Sequence, residues 1–179
     1  MPTRRQEILD AAIDVLGAEG PRGLTHRAVD KRLHLPLGST ANVYGRRAEL
    51  LAGIVERMEE LDRAQWEHLH HRRAAESAQE LARSLTEFVY ATASAPMAQM
   101  QKARYYLQLA LPEETAATRE RIGDDLKQVM TAAGTPPQRA DVVLATIDGL
   151  MIRAITYGTA ALPCQAAIEE SLRQLMTSA

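Results

Sequence analysis

Along almost the whole chain, apolar residues recur at the three- and four-residue spacing of an α-helix, and most runs stop at a glycine or a proline. Ile8, Leu9, Ala12, Ile13, Val15 and Leu16 form the first stripe, with Asp10 and Asp14 on the other face. The spacing predicts a helix over 4–18, ended by Gly20-Pro21-Arg22-Gly23. Thr25 stands where an N-cap belongs, before a short helix that carries Ala28, Val29 and Leu33. His34-Leu35-Pro36 breaks that pattern, a third short helix is expected over 38–44, and a long one runs from Arg47 toward His70. Further helices are expected over 78–92, 97–110, 112–132, 140–157 and 164–176. Pro112 suits a first helical position, and Glu113 and Glu114 suit the positive end of the helix dipole. Aromatic residues make up only 4% of the chain, so the residue types that favour strands are scarce. The expectation is an all-α fold of about nine helices.

Several function classes drop out. Cys164 is the only cysteine, so neither an internal disulfide nor a cysteine-based zinc cluster is available. The opening MPTRRQEILDAAIDVL is charged and amphipathic, unlike a secretory signal, and no apolar run reaches the roughly 18 residues of a membrane span. A cytoplasmic protein with no membrane partner is expected. His68, His70 and His71 sit beside Arg72 and Arg73 with no suitably spaced acid or cysteine, which reads as a solvated surface, and no metal or other cofactor is expected. The charged run 56–63 reads as an exposed helix face. There is no glycine-rich phosphate loop, no zinc motif and no nucleophile with an evident base. His26 and Ser39 lie too close together in the chain to suggest a triad, so an enzyme is not expected.

Charge is unevenly spread. Residues 1–50 hold eight Lys/Arg against six Asp/Glu, while the whole chain carries a formal charge of −2. A basic amino-terminal part on an acidic body points to a polyanionic partner. Within it, the stretch LPLGSTANVYGRRAELL, residues 35–51, has no acid before Glu49. Two short helices joined by a tight turn behind a longer helix make a helix-turn-helix, whose second short helix enters the major groove of DNA. Small residues let that helix approach the groove floor, and carboxylates there would repel phosphate. Ser39, Thr40 and Asn42 carry hydrogen-bonding groups, and Asn pairs bidentately with adenine. Arg46 and Arg47 suit backbone phosphate, as do Thr25 and the amides at the start of the earlier helix. The other reading of the same residues is a solvated turn with a surface arginine pair.

Residues 5–51 resemble the DNA-binding domain of the TetR family of bacterial transcriptional regulators. The resemblance lies in Ile8-Leu9-Asp10-Ala11-Ala12, in Gly20 with Gly23-Leu24-Thr25, in Ala28-Val29, in Pro36-Leu37-Gly38-Ser39-Thr40 and in Leu50-Leu51. Tyr44 stands where the family usually has Phe, and Arg47 where it has a phosphate-contacting Lys. Ile147-Asp148-Gly149-Leu150-Met151 is similar to the family's Asp-Gly-Leu signature in the penultimate helix. The chain departs from the family at Ala41, in place of a phosphate-contacting Tyr, at His34, in place of Gly, and at Ala48, in place of an acid. Thr40, Asn42 and Tyr44 are expected to share the work of the missing Tyr. The expected DNA contacts are thus Thr25, Arg27, Leu37, Gly38, Ser39 and Thr40, together with Asn42, Val43, Tyr44 and Arg47.

The resemblance implies a helix-turn-helix DNA-binding domain over 1–52 and a helical ligand-binding and dimerisation domain over 53–179. The apolar face of 140–157 is wider than one packed side needs. Val143, Ile147, Leu150, Met151 and Ala154, with Ile168, Leu172 and Leu175 of the last helix, are expected to form a two-fold homodimer interface, with a buried core as the alternative. Trp66, Phe88, Met97, Met100, Tyr105, Tyr106 and Leu109 are the expected lining of a pocket for a small, largely apolar effector, and a plain core stripe is the alternative here too. The implied activity is repression from a palindromic operator on double-stranded DNA, released by that effector. An activator of the same fold and a helical protein-interaction module without DNA binding remain the alternatives.

Overall fold

The computed structural model describes residues 2–72, 77–94 and 97–177, with backbone alone for 64–72. Among the described residues there are nine α-helices and no strand. They are α1 (Arg4–Gly23), α2 (His26–Arg32), α3 (Ser39–Val43), α4 (Arg47–Arg72), α5 (Ala78–Ala91), α6 (Met97–Ala110), α7 (Pro112–Ala132), α8 (Pro137–Tyr157) and α9 (Gln165–Thr177), with a 3-10 turn over Thr159–Ala161. None is long and apolar enough to cross a membrane.

The ends of these helices follow from their residues. Thr3 and Gln6 form a reciprocal capping box at the start of α1. Thr25 and Ser77 accept N–H bonds from Ala28 and Glu80 and so cap α2 and α5. Gly20, at φ +73°, turns the path out of the α1 helix just before Pro21, as the sequence predicts. Gly134-Thr135-Pro136-Pro137 marks a break, yet Pro137 already belongs to α8, three residues before the expected start at Ala140. A first-turn proline loses no hydrogen bond that the helix needs there.

The contacts divide the chain into two compact units. One comprises residues 1–67 and 99–117. Its core is built on α1, where Ile8, Ala12, Ile13 and Leu16 meet Leu24, Val29, Leu50, Ile54, Ala103 and Leu107. Polar straps fix the helices around that core. Arg57 of α4 grips Asp10 of α1 at 2.7 and 3.1 Å, and Arg104 of α6 grips Asp62 of α4 at 2.7 and 2.5 Å. Arg32 of α2 reaches Asp14 of α1 at 2.9 Å. Both α4 straps are two-point guanidinium–carboxylate pairs, which set direction as well as distance.

The other unit comprises residues 68–98 and 118–179. Here α5 packs on α8 and α9 around Leu81, Leu85, Val89, Val143, Ile147, Ile168, Leu172 and Met176, with Met130 of α7 completing the core. The Tyr90 hydroxyl donates to the Pro163 carbonyl at 2.6 Å and ties α5 to the loop before α9.

In the first unit, α1 and α6 meet backbone to backbone. A Cβ added at Gly17 would lie 2.0 Å from the carbonyl oxygen of Gln99. Gly17→Ala should therefore lower stability by about 1–3 kcal/mol, the usual cost of overpacking. Gly123→Ala in α7, where an added Cβ meets nothing within 4 Å, should raise it by about 0.5–1 kcal/mol through helix propensity. Urea unfolding of both variants checks the pair, and a neutral Gly17→Ala would show that the two helices separate freely.

Candidate nucleic-acid interface

The α2–α3 pair is organised around one acid. Asp30, on the inner side of α2, is 1% exposed. Its carboxylate accepts the N–H of Gly38 at 2.8 Å, the N–H of Thr40 at 2.8 Å and the Thr40 hydroxyl at 2.6 Å. It thus meets the unsatisfied amides at the start of α3, where negative charge is favoured. Burial pushes the Asp30 carboxyl up, but the bonds from Thr40 and Gly38 and the nearby His26 pull harder, and the net position is below the ordinary carboxylate value. The turn between the helices is tight. The Leu35 N–H donates to the Asp30 carbonyl at 2.8 Å, and both His34 (φ +54°) and Gly38 (φ +92°) have left-handed backbones. His34 occupies the position where the resemblance leads one to expect glycine, and its φ gives the physical reason for that preference.

This geometry corrects three of the expected DNA contacts. Thr40 is fully buried with its hydroxyl on Asp30, so it positions α3 and offers nothing to a base edge. Tyr44 is 2% exposed. Its ring lies in the core, its hydroxyl accepts from Arg5 Nε at 3.0 Å, and the Arg5 guanidinium lies 4.9 Å from the ring centre. Ser39 donates its one hydroxyl proton to the Pro36 carbonyl at 2.6 Å, which leaves none for a phosphate. Because the chain order alone does not tell which side of a five-residue helix faces inward, these three looked as available as Asn42.

The remaining residues form an open face. Leu37, Asn42 and Val43 are exposed, as is Ala41 between them, and Gly38 is half-buried. Thr25 is exposed, and while its oxygen caps α2 its hydroxyl proton is free to donate. Arg27, Lys31 and Arg46 are exposed, and among the described residues their side chains meet no ion-pair or hydrogen-bond partner. Arg47 is differently engaged. Its guanidinium donates to the carbonyls of Leu24 and of Pro21, the latter at 2.5 Å, and holds the turn between α1 and α2. Sequence reasoning missed Asp30 as the organiser and Lys31 as a free cation. The available signal was an acid on the same side of α2 as Val29 and Leu33.

The other expected sites are distributed as follows. Phe88 and Met97 lie in the second unit and Met100, Tyr105 and Tyr106 in the first, all half-buried, with Met100 and Tyr106 against the first core and Phe88 against the second. Leu109 is 84% exposed and stands on the surface of its unit, because its neighbour Leu107 takes the inward position on α6. The Trp66 side chain and those of His68, His70 and His71 lie outside the described residues. Among the described residues, no three His, Cys, Asp or Glu side chains are gathered to hold a metal ion.

The expected dimer residues need correction as well. Val143, Ile147, Met151, Ala154, Ile168 and Leu172 are buried inside the protomer, and Leu150 and Leu175 are half-buried. Val143, Ile147, Met151, Ala154, Ile168 and Leu172 thus serve the protomer's own packing, while Leu150 and Leu175 keep part of their surface open. What α8 leaves open is a different stripe, with Val142 and Ile152 nearly half exposed and Ala145 and Gly149 between them.

Residues 76–178 match the family described as "Tetracyclin repressor-like, C-terminal domain". Solved structures resemble the whole chain. A TetR-family member from Streptomyces coelicolor A3 is 27% identical, with a TM-score of 0.71 over 98% of this chain and 99% of its own. The multidrug binding protein EbrR complexed with malachite green is 26% identical, with a TM-score of 0.72 over 98% and 99%. The same protein complexed with imidazole is 25% identical, with a TM-score of 0.67 over 100% and 98%. None of the curated proteins matches the chain.

Asp30→Ala should strand the N–H groups of Gly38 and Thr40 and lower stability by about 2–3 kcal/mol at neutral pH. Since the carboxyl titrates below its unfolded value, its contribution is complete above about pH 4 and disappears as the pH falls through the lowered value. Urea unfolding across pH should show the gap between wild type and variant closing on the acid side, and a gap constant down to pH 2 would rule the carboxylate out as its source.

Proposed function

The chain belongs to the TetR family of transcriptional regulators, and on that premise we propose that it is a sequence-specific DNA-binding repressor released from a palindromic operator by a small, largely apolar ligand. The observation that carries the DNA part is the open face of α2 and α3. It offers the Asn42 amide and three cations whose side chains have no partner among the described residues, while the acid between the two helices, Asp30, is buried and fully occupied and Glu49 accepts the Arg46 N–H. Arg27, Lys31 and Arg46 contact phosphate, Thr25 and the first amides of α2 hold another, and Asn42 reads a base. Residues 1–52 are the part that meets DNA, and residues 53–179 the part that binds ligand and partner.

Two copies associate about a two-fold axis through the open stripe of α8, with Val142 and Ile152 flanking Ala145 and Gly149, and with the outer face of α9. Small residues in the middle of such a stripe allow close approach, and an isologous contact turns one reading face into two, about one DNA turn (~34 Å) apart. The ligand reading draws on the solved structures of EbrR, described as a multidrug binding protein and complexed with malachite green or imidazole. The candidate ligand contacts are Met100, Tyr105 and Tyr106 in the first unit and, separately, Phe88 and Met97 in the second. The protein acts in the cytoplasm by binding and carries out no reaction. A ligand releases the operator only by favouring the conformation that binds DNA poorly.

Selection on random duplex DNA, with sequencing of the bound pool, tests the proposal. A palindrome should be enriched. A single half-site would remove the dimer, and no enrichment with weak binding at every salt would leave a helical interaction module in place of a regulator. On the selected duplex, Arg27→Ala should weaken binding to all sequences and lower the salt slope by about one. Asn42→Ala should cost about 1–3 kcal/mol on the selected site alone. Malachite green should weaken operator binding by about ten-fold, within the usual range of allosteric coupling. Unchanged affinity across a broad panel of aromatic and apolar compounds would discard the release step.

A further inference from the structure

The open face of α3 carries an apolar excess that phosphate contacts do not explain. Leu37, just before α3, is 74% exposed, among the most exposed of the large apolar residues described, and Ala41 is exposed on α3 itself. Of the polar side chains in this stretch, Thr40 is buried on Asp30, Tyr44 is buried against Arg5, and Ser39 has given its proton to Pro36. The face is therefore left with one amide, Asn42, and the hydrocarbon of Leu37, Ala41 and Val43. Gly38, between Leu37 and the helix, is open, and even an added Cβ would meet nothing within 4 Å. A surface can thus come close to the chain there. The exposed Arg27 and Lys31 of α2 and Arg46 just after α3 favour a polyanion over an apolar protein partner.

Of the base edges in the major groove, only thymine carries an apolar group, its C5 methyl. Resting on the DNA-binding reading above, we propose that Leu37, with Ala41 beside it, reads the C5 methyl of thymine, so that each operator half-site holds at least one thymine recognised by that methyl. Discrimination then has two parts of different chemistry. Asn42 senses hydrogen-bonding groups, and Leu37 senses a methyl that an amide does not register. The same methyl occurs on 5-methylcytosine. Thymine is the source assigned here, because it presents the methyl in unmodified DNA.

The test uses the full-length protein and the duplex found by selection. Each thymine of a half-site is replaced in turn by deoxyuridine, which removes only the methyl, and in a second series each cytosine is replaced by 5-methylcytosine. At one thymine or more per half-site, affinity should fall about three- to five-fold, the weight of one buried methyl group. In Leu37→Ala that penalty should shrink toward one-fold, while binding to non-specific duplex stays within two-fold of wild type. As Leu37 is a surface residue, the variant should unfold at the wild-type urea midpoint. The inference is overturned if every deoxyuridine duplex binds like its thymine parent, if Leu37→Ala keeps the full penalty, or if affinity responds only to 5-methylcytosine. Failure to enrich any sequence would overturn the DNA-binding reading itself, a result distinct from specific binding that ignores the methyl.

Discussion

The Asp30 carboxylate is the contact on which the α2–α3 pair of this protein depends. An α-helix of five residues has almost no stability of its own, since its first amides lack partners and its nucleation is unfavourable. Here a buried anion supplies those partners from the neighbouring helix. Two N–H groups and one hydroxyl converge on it, and the orientation of α3 relative to α2 follows from where those donors must point. A buried carboxylate without them would be costly, so the arrangement works only as a whole. The same contact settles which residues of α3 face outward. By drawing Thr40 inward it turns Ala41 and Asn42 toward solvent.

Around that contact the first unit is held by pairs that fix direction. Arg57–Asp10 and Arg104–Asp62 each use two bonds, and the second pair is largely buried. Such pairs add little net stability against an apolar alternative, but they tolerate few geometries. The Gly17–Gln99 approach acts similarly by steric means, because no side chain lies between the backbones of α1 and α6 to absorb a shift. In this unit α6 thus bears directly on α1, the helix behind the α2–α3 pair. A displacement of α6 has a rigid route to α1 and, through Asp62, to α4.

The second unit shows how one helix serves two surfaces. Val143, Ile147 and Met151 of α8 close the protomer's own core, and Val142, Ala145, Gly149 and Ile152 remain outside it. Both stripes are apolar or small, which is why the run looked too apolar for one packed side. The excess is there, and most of the residues singled out for it lie in the protomer's own core. The more strongly apolar stripe is the one that α5 and α9 take, and the residues next to it stay open to solvent.

The sequence by itself determined the helices, their order and most of their ends, because helical spacing, N-cap residues, glycine and proline act locally. The start of α8 was missed by three residues because proline both ends one helix and opens another. Sequence likewise determined the family and the presence of an acid-free, arginine-flanked stretch, since such a cluster is a property of neighbouring residues. Only the tertiary structure decided which side chain of each helix faces inward. Thr40, Tyr44 and Ser39 have the chemistry of readers, yet packing and the reach of Asp30 assign them to the interior or to the turn. Arg47 lies among the phosphate-binding candidates, yet the carbonyls of Pro21 and Leu24 claim it. A residue's type states what bonds it is able to make, while the positions of groups distant in the chain decide which of them it makes.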